Sequence, residues 1–184
     1  MNDVLKEADQ KMDKSVEATR EEFAAIRAGR ANPSMFSKIV ADYYGSPTPI
    51  QQLATFTAPE ARIILVAPFD ISSIGAIEKA IRDSDLGVNP ANDGKVLRCV
   101  FPELTEERRK EYIKLAKSKA EDGRVSVRNV RRTAKQGLEK LEKDGEVGKD
   151  DVTGAEKRLD GMTKKHTDAI DEMLKNKEAE LLEV

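Results

Sequence analysis

The chain has 184 residues, 39% of them hydrophobic, which is enough for one medium domain or two small domains with packed cores. Charged residues make up 36% and aromatic residues only 4%, a balance typical of long helices with narrow apolar faces. The net charge of −2 restricts any nucleic-acid binding to a local basic cluster, and the single cysteine excludes an internal disulfide and a multi-cysteine metal site.

The amino-terminal segment predicts a long amphipathic helix over residues 3–29. Its apolar positions alternate in steps of three and four and so share one face: Leu5, Ala8, Met12, Val16, Thr19, Phe23 and Ile26. Gly29 and then Asn32-Pro33 predict the end of this helix. The charges exclude the apolar core of a signal peptide, and no later run approaches the roughly 20 apolar residues of a membrane span. We therefore expect a soluble cytoplasmic protein.

Residues 31–103 predict a compact α+β segment. The runs 39–44 and 62–66 are rich in β-branched or aromatic residues and predict strands, and Gly45 and Pro47-Thr48-Pro49 predict turns between them.

A short helix and a last strand complete this segment. Asp70 is a candidate cap for a helix whose apolar side consists of Ile74, Ile77, Ala80 and Ile81. Asn92-Asp93-Gly94 predicts a turn into a strand over residues 96–101.

Two further long helices follow Pro102. Thr105 is a candidate N-cap, and the next helix is expected to run for roughly 60 Å at about 1.5 Å per residue. Its apolar and small face consists of Ile113, Ala116, Ala120, Gly123, Val127, Val130, Ala134, Gly137 and Leu141. Gly145 and Gly148 predict a break. The third apolar face consists of Val152, Ala155, Leu159, Met162, His166, Ile170, Met173 and Leu181.

Three helices with apolar faces can bury them by packing together. The sequence therefore predicts an α+β protein in which a long three-helix bundle, residues 1–29 and 104–184, carries an inserted β/α/β sandwich domain, residues 30–103. Two connecting segments of the chain would join the domains and form a candidate hinge. The hinge candidates are Gly29, Arg30, Ala31, Phe101, Pro102, Glu103 and Leu104.

Basic residues concentrate in the middle of the second long helix. From Gly123 to Lys135 there are five basic residues and no acidic one, whereas residues 139–184 hold 14 acids against 9 bases. On a helix, five basic side chains fall within roughly 60° of one another, beside the apolar face. This basic stripe consists of Lys117, Arg124, Arg128, Arg131 and Lys135. Because arginine engages phosphate oxygens bidentately, the stripe predicts binding to a nucleic-acid backbone.

The alternative interpretation of the basic stripe is a solvated face with salt bridges to the acidic third helix. Only Glu121 and Asp122 lie near it in sequence, so we expect no i,i+4 neutralisation of residues 128–135, while pairing with another helix stays open. Arg27 and Arg30 either extend the patch or simply favour the helix dipole. Without interleaved aromatic residues, recognition of RNA shape and backbone is favoured over base readout.

Several blocks of the sequence resemble the signature blocks of ribosome recycling factors. They are Ile26-Arg27-Ala28-Gly29-Arg30-Ala31-Asn32-Pro33, Asp42-Tyr43-Tyr44-Gly45, Asp85-Leu86-Gly87-Val88-Asn89-Pro90, Leu104-Thr105-Glu106-Glu107-Arg108-Arg109 and Val125-Ser126-Val127-Arg128-Asn129-Val130-Arg131-Arg132. The similarity continues to the segment 177–181. Because the blocks are long, ordered and spread over both predicted domains, chance agreement is much less credible than for a short motif.

The resemblance implies an L-shaped, tRNA-like molecule whose bundle binds large-subunit rRNA in the bacterial ribosome. It further implies that, after translation termination, elongation factor G with GTP acts on the second domain to split the subunits. The implied rRNA contacts are Arg27, Arg30, Arg109, Arg128 and Arg131, with Arg131 the first choice. Together with the basic stripe and its neighbour, the candidate rRNA-binding residues are Arg27, Arg30, Arg109, Lys117, Arg124, Arg128, Arg131, Arg132 and Lys135.

The sequence contains no P-loop and no dinucleotide-binding fingerprint, and its one histidine and one cysteine lie far apart. We therefore expect no enzyme, no cofactor and no metal, and a monomer without DNA or membrane partners. His166 is predicted to be a packing residue and Cys99 a small apolar filler. Tyr43 and Tyr44 are expected on opposite faces of a regular strand.

Two other functions stay open at this point. A generic rRNA-binding or ribosome-assembly factor would share the basic stripe but would not split subunits. A coiled-coil adaptor would use the apolar faces for protein partners and the arginines only as a solubilising surface.

Overall fold

The computed structural model describes residues 1–183 and contains, within that range, four α-helices and six β-strands. The helices are α1 (Asn2–Ala25), α2 (Ile74–Arg82), α3 (Glu106–Lys143) and α4 (Lys149–Leu182). The strands are β1 (Val40–Tyr43), β2 (Ser46–Pro49), β3 (Ala54–Glu60), β4 (Ile63–Pro68), β5 (Ala91–Asn92) and β6 (Leu97–Val100). This order confirms the predicted α+β class, with a β-rich segment inserted after the first of three long helices.

The described residues divide into two compact units. The helical unit comprises Met1–Phe23 and Lys114–Glu178, and the sheet unit comprises Ala24–Ile113 and the described residues from Ala179 onward. Residues 24–29 and 104–113 therefore group with the sheet, whereas the sequence assigns them to the bundle. The domain boundaries at 29/30 and 103/104 stay a prediction.

The helical unit buries the apolar faces of α1, α3 and α4. Its buried side chains include Leu5, Ala8, Met12, Val16, Val127, Ala134, Leu138, Leu159 and Ile170. Small residues allow α1 and α3 to approach closely: a Cβ built at Gly123 would lie only 2.3 Å from Thr19 Oγ1. The hydroxyl oxygens of Ser15 and Ser126 are 2.8 Å apart at the same contact. The small residues of the predicted apolar face are therefore what permits this packing.

The sheet unit contains two antiparallel sheets. In the smaller sheet, β1 pairs with β2 through a tight turn in which Tyr44 and Gly45 both have positive φ, 50° and 80°. In the larger sheet the strand order is β3-β4-β6-β5. The core of the unit includes Phe36, Ile50, Ile64, Val66, Ile77, Ile81, Leu97, Cys99 and Phe101. Residues of α2 and of the sheet thus share one core, in agreement with the predicted β/α/β unit.

Local signals in the chain set several of these elements. Asp70 accepts a hydrogen bond from the Ser72 N–H at 3.0 Å and caps the turn that leads into α2, as predicted. Thr105 Oγ1 accepts a hydrogen bond from the Arg108 N–H at 3.2 Å and caps α3. Gly94, with a φ of 90°, donates its N–H to Asn92 Oδ1 in the predicted turn before β6. The caps and the turns at Gly45 and Asn92-Asp93-Gly94 were thus predicted correctly. The turn predicted at Pro47-Thr48-Pro49 was wrong, because these residues pair with β1 as strand β2.

Candidate nucleic-acid interface

The five residues of the basic stripe all lie on α3 within the helical unit and all reach solvent. Their side-chain exposure ranges from 20% for Arg124 to 63% for Lys117. Steps of seven, four, three and four residues separate them, and these steps keep them along one side of the helix. The structure thus places the stripe beside the buried face that contains Val127 and Ala134.

Acidic residues of α4 form ion pairs with the basic stripe. Arg124 Nε donates to Asp171 Oδ1 and Arg131 Nε donates to Asp160 Oδ1, each at 2.7 Å. Two longer pairs are Lys135 with Glu156 and Lys117 with Glu178, each at 3.9 Å. The pairing with the third helix that the sequence left open is therefore present.

Acidic residues of α3 itself also contact the basic stripe. Glu121 accepts from Arg124 at 3.0 Å and from Arg128 at 3.4 Å. Lys135 Nζ lies 4.0 Å from Glu139 Oε1, four residues along the helix. The expectation that i,i+4 pairing leaves residues 128–135 unneutralised was wrong at Lys135, because Glu139 lies one turn beyond the basic run.

These ion pairs leave the stripe able to bind an anion. An exposed ion pair stabilises a protein by only about 0–1 kcal/mol. A hydrogen bond from an arginine to a charged phosphate can contribute about 1.5–3 kcal/mol, so a phosphate can compete with the carboxylates. Within residues 1–183, Arg131 donates a hydrogen bond only through Nε, so its Nη groups can donate hydrogen bonds to a phosphate. At Arg124, burial lowers the pKa, but hydrogen bonds to Asp171 and Glu121 outweigh that effect and raise the pKa above its ordinary value. Arg124 therefore keeps its positive charge at neutral pH.

Arg132 lies next to the stripe on α3 and is exposed. It makes no ion pair with any residue from 1 to 183. Arg128, with 54% of its side chain exposed, is also largely free to exchange Glu121 for another anion. These two arginines are the most accessible cations in this part of α3.

Arg27 does not lie on an open surface. It is 6% exposed, an Nη group donates to the Pro102 carbonyl, and its guanidinium carbon lies 5.4 Å from the centroid of the Phe101 ring. Burial lowers the pKa of Arg27 from its ordinary value. The geometry gives Arg27 a structural role inside the sheet unit, and its rRNA contact stays a prediction.

Arg109 and Arg30 also belong to the sheet unit rather than to the stripe. Arg109 Nη1 donates to the Leu181 carbonyl at 2.9 Å and to the Glu183 carbonyl, which are acceptors at the end of α4. Those carbonyls have no partner within the helix ladder, so the guanidinium caps the helix. Arg30 is exposed. Neither residue therefore belongs to the unit that contains the stripe.

Two of the hinge candidates, Ala31 and Phe101, form backbone hydrogen bonds with residues at the β3–β4 hairpin. The Ala31 N–H donates to the Ala61 carbonyl at 2.7 Å, and the Phe101 N–H donates to the Arg62 carbonyl at 2.7 Å. Ala31 and Phe101 are buried, whereas Pro102 and Glu103 are exposed and Gly29 and Leu104 are half-buried.

Tyr43 and Tyr44 do not point to opposite faces as expected. Both hydroxyls donate to Asp70 Oδ2, at 3.1 Å and 3.3 Å, and the ring centroids are 4.6 Å apart. The positive φ of Tyr44 turns the chain at the end of β1 and brings the second ring back beside the first. Hydrogen bonds from Ser72 lower the pKa of Asp70 below its usual value, and those from the two tyrosines add to that effect.

His166 is buried as predicted, at 3% exposure, but it is not simply a packing residue. Its Nε2 lies 2.7 Å from Asp13 Oδ1. Sequence reasoning missed this pair because the two residues are 153 positions apart and Asp13 lies among the charged positions of α1.

None of the helices described for residues 1–183 is long and apolar enough to cross a membrane. A long helical unit with a basic stripe and a small α+β unit together define a two-unit, helix-rich α+β protein. A family model described as ribosome recycling factor matches residues 19–182. The chain belongs to the ribosome recycling factor family.

Curated relatives and solved structures agree with this assignment. A ribosome-recycling factor of Nocardioides sp. is 82% identical, and one of Cutibacterium acnes is 61% identical, in both cases over 100% of each chain. A solution structure of a ribosome recycling factor is similar with a TM-score of 0.78 and 41% identity, covering 100% of this chain and 97% of that one.

A second solved structure is described as models for the T. thermophilus ribosome recycling factor and the E. coli elongation factor G bound to the E. coli post-termination complex. It matches with a TM-score of 0.68 and 40% identity, covering 99% of this chain and 98% of that chain. The family predicted from the sequence blocks is therefore confirmed.

Proposed function

We propose that this protein binds the post-termination ribosome and, together with elongation factor G and GTP, promotes splitting of the subunits for a new round of translation. The observation that carries the proposal is the full-length match to a structure that contains a recycling factor and elongation factor G on a post-termination complex. The protein acts in the cytoplasm of a bacterium. It catalyses no reaction, because GTP hydrolysis by its partner supplies the energy.

We infer that the stripe on α3, together with Arg132, contacts phosphates of large-subunit rRNA. The arginines support this role because they reach solvent, lie in one row and keep free N–H donors. Arg131 is the first choice, since its Nε is oriented by Asp160 while its Nη groups are available. Arg30 extends the set from the sheet unit. The proposal also includes Arg27 and Arg109, which must release the backbone carbonyls that they bind here before they can contact rRNA.

The segments 29–31 and 101–104 stay our proposal for a hinge. Because Ala31 and Phe101 are hydrogen-bonded to the larger sheet, we expect backbone rotation to concentrate at Gly29, Arg30, Pro102 and Glu103.

A subunit-splitting assay with purified post-termination complexes, elongation factor G and GTP tests the function and the site together. We expect splitting by the wild type, and about tenfold weaker ribosome binding by Arg131→Ala, which corresponds to the loss of one charged hydrogen bond of about 1.4 kcal/mol. Arg158→Ala, which removes an exposed arginine from α4, is the matched control and is expected to split subunits normally. Absence of splitting by the wild type with a cognate factor would contradict the proposal.

The ion pairs between α3 and α4 favour one second candidate, a coiled-coil adaptor in which the arginines only join helices. In that case, neutralising Arg128 and Arg131 would destabilise the helical unit but leave ribosome affinity unchanged. A generic rRNA-binding factor would lose affinity in the same variants but would bind without any splitting dependent on elongation factor G.

A further inference from the structure

His166 and two carboxylates meet in the helical unit. The His166 Nε2 atom lies 2.7 Å from Asp13 Oδ1 and 3.6 Å from Asp9 Oδ1. The three ligand atoms of these residues all lie within 4.8 Å of one another. Asp9 and Asp13 are four residues apart on α1, so their side chains project to the same side of the helix. One imidazole nitrogen and two carboxylate oxygens therefore converge from two helices.

The imidazole is held in the orientation typical of a metal ligand. Its Nδ1 lies 2.6 Å from the Met162 carbonyl oxygen, to which it donates a hydrogen bond, and so Nε2 faces the carboxylates. Metal-binding histidines almost always donate the second ring N–H to a carbonyl or carboxylate, which fixes the tautomer and the ring plane. The buried ring, 4% exposed, has little freedom to turn away.

An ion from solvent can reach this cluster. The side chains of Asp9 and Asp13 are 46% and 68% exposed. A shallow groove of about 420 Å³ between α1 and α4 is lined by Asp9 and Met162. The same groove is lined by Lys6, Arg158 and Lys165, whose charges weaken the attraction for a cation, so we expect weaker binding than at a site without nearby cations.

We propose that Asp9, Asp13 and His166 form a binding site for a divalent transition metal, with Zn²⁺ the best match. Zinc accepts imidazole nitrogen and carboxylate oxygen at about 2.0–2.2 Å, which separates tetrahedral ligand atoms by about 3.3–3.6 Å. The distance of 3.6 Å from Nε2 to Asp9 fits this range, and a small rotation of the exposed Asp13 side chain would lengthen its distance of 2.7 Å. The ion would lie between Nε2 and the two carboxylate oxygens, complete its coordination with water, and join α1 to α4.

The single histidine of the chain makes the site directly observable. Untagged full-length protein is titrated with ZnCl₂ while the His166 ring resonances are followed by NMR. We expect a saturable shift that EDTA reverses, and binding weaker by at least about tenfold in Asp13→Asn, a loss typical for disturbed metal sites. Glu21→Gln is the matched control, because it removes an exposed carboxylate from the same helix two turns further on. Its affinity for Zn²⁺ is expected to equal that of the wild type.

A thermal unfolding measurement gives a second readout. At a zinc concentration of about 100 times the dissociation constant, we expect Tm to rise by about 5–10 °C in the wild type and in Glu21→Gln, but not in Asp13→Asn. Circular dichroism in EDTA verifies that each variant is folded. The proposal is overturned if the ring resonances do not move with Zn²⁺, if Asp13→Asn binds as tightly as the wild type, or if Mg²⁺ moves the ring resonances equally.

Discussion

Gly123 faces Thr19 across the contact between α3 and α1, where a methyl group has no room. A Cβ at this position would lie 2.3 Å from Thr19 Oγ1 and 3.1 Å from Ile170 Cδ1. Thr19 cannot easily move, because its hydroxyl donates to the Ser15 carbonyl at 2.9 Å and its side chain is β-branched. The close contact therefore requires glycine on α3.

We expect Gly123→Ala to lower the free energy of unfolding by about 1–2 kcal/mol. Overpacking of this kind costs about 1–3 kcal/mol and exceeds the gain of about 1 kcal/mol or less that alanine gives in a helix interior. Gly154→Ala in α4 is the control, because a Cβ added there would meet no atom within 4 Å. This substitution should raise the free energy of unfolding by about 0.5–1 kcal/mol. Urea unfolding followed by circular dichroism measures both. Stabilisation by both substitutions would contradict the packing argument.

Cys99 is fully buried in β6, and burial raises the pKa of its thiol to about 11. Below about pH 7.5 the thiol is neutral in both the folded and the unfolded chain, so its full contribution to stability is present there. As the pH rises from about 8 to 11, the unfolded chain ionises first and the contribution is lost, amounting to about 2 kcal/mol at the upper end. Folding therefore keeps the Cys99 thiol from ionising. For the same reason, the free energy of unfolding falls at alkaline pH.

We expect a thiol reagent near pH 8 to modify Cys99 only as the chain unfolds, since the reactive thiolate requires both solvent access and ionisation. Unfolding free energies of the wild type and Cys99→Ala, measured between about pH 8 and 11, test the linkage. The wild type should lose more stability than the variant over that range. Rapid modification of the folded protein, or parallel pH profiles, would show that Cys99 is not sealed in the core.

Single-residue roles divide into those that the sequence could reveal and those that it could not. The burial of Cys99 and the caps at Asp70 and Thr105 follow from local patterns. The partner of His166 does not, because Asp13 is brought to it only by the packing of α1 on α4. The burial of Arg27 over the Phe101 ring likewise depends on a contact between residues far apart in the chain.

The pairing between α3 and α4 leads to a prediction about RNA affinity. Asp160 engages Arg131 at 2.7 Å, and the exposed pair is worth about 0.2–1 kcal/mol. Asp160→Asn removes that competition, so we expect ribosome binding to tighten by about 1.5–5-fold. Asp168→Asn is the control, because Asp168 pairs with Lys164 on its own helix. Filter binding to vacant ribosomes measures both. An equal change in the two variants would indicate a general charge effect instead of competition at Arg131.

Helices were more predictable than strands in this chain. The period of apolar residues located α1, α3 and α4, although Leu138 is fully buried while the predicted Leu141 is only half-buried. α1 ends at Ala25, before the predicted Gly29, and the next three residues, Ile26, Arg27 and Ala28, are buried outside the helix.

Three strands were not predicted: β2, β3 and the two-residue β5. β2 contains Pro47 and Pro49, which are tolerated because it is an edge strand in a two-stranded sheet. β3 is mostly exposed and so shows little apolar alternation. A strand can be predicted from its sequence when one face is buried, because apolar and polar residues then alternate. These strands have no buried face of that kind.

At the scale of the whole molecule, composition and charge predicted less than the sequence blocks did. The net charge of −2 conceals a strongly basic helix beside an acidic one, and only the helical arrangement of these charges suggests RNA. Subunit splitting with elongation factor G follows from family membership, because no single side chain in the chain encodes it. The structure adds that the basic stripe is partly paired, which makes its affinity depend on competing carboxylates.

The salt dependence of ribosome binding follows from this arrangement. Each arginine that contacts a phosphate releases counterions, so its removal should reduce the slope of log affinity against log salt by about 1. For Arg128→Ala combined with Arg131→Ala we expect weaker binding at low salt and a slope smaller by about 1.5–2. Lys157→Ala combined with Arg158→Ala removes the same charge from exposed positions of α4 and should leave the slope unchanged. If both double variants reduced the slope equally, the ribosome would be attracted by the total charge of the chain and not by the stripe on α3.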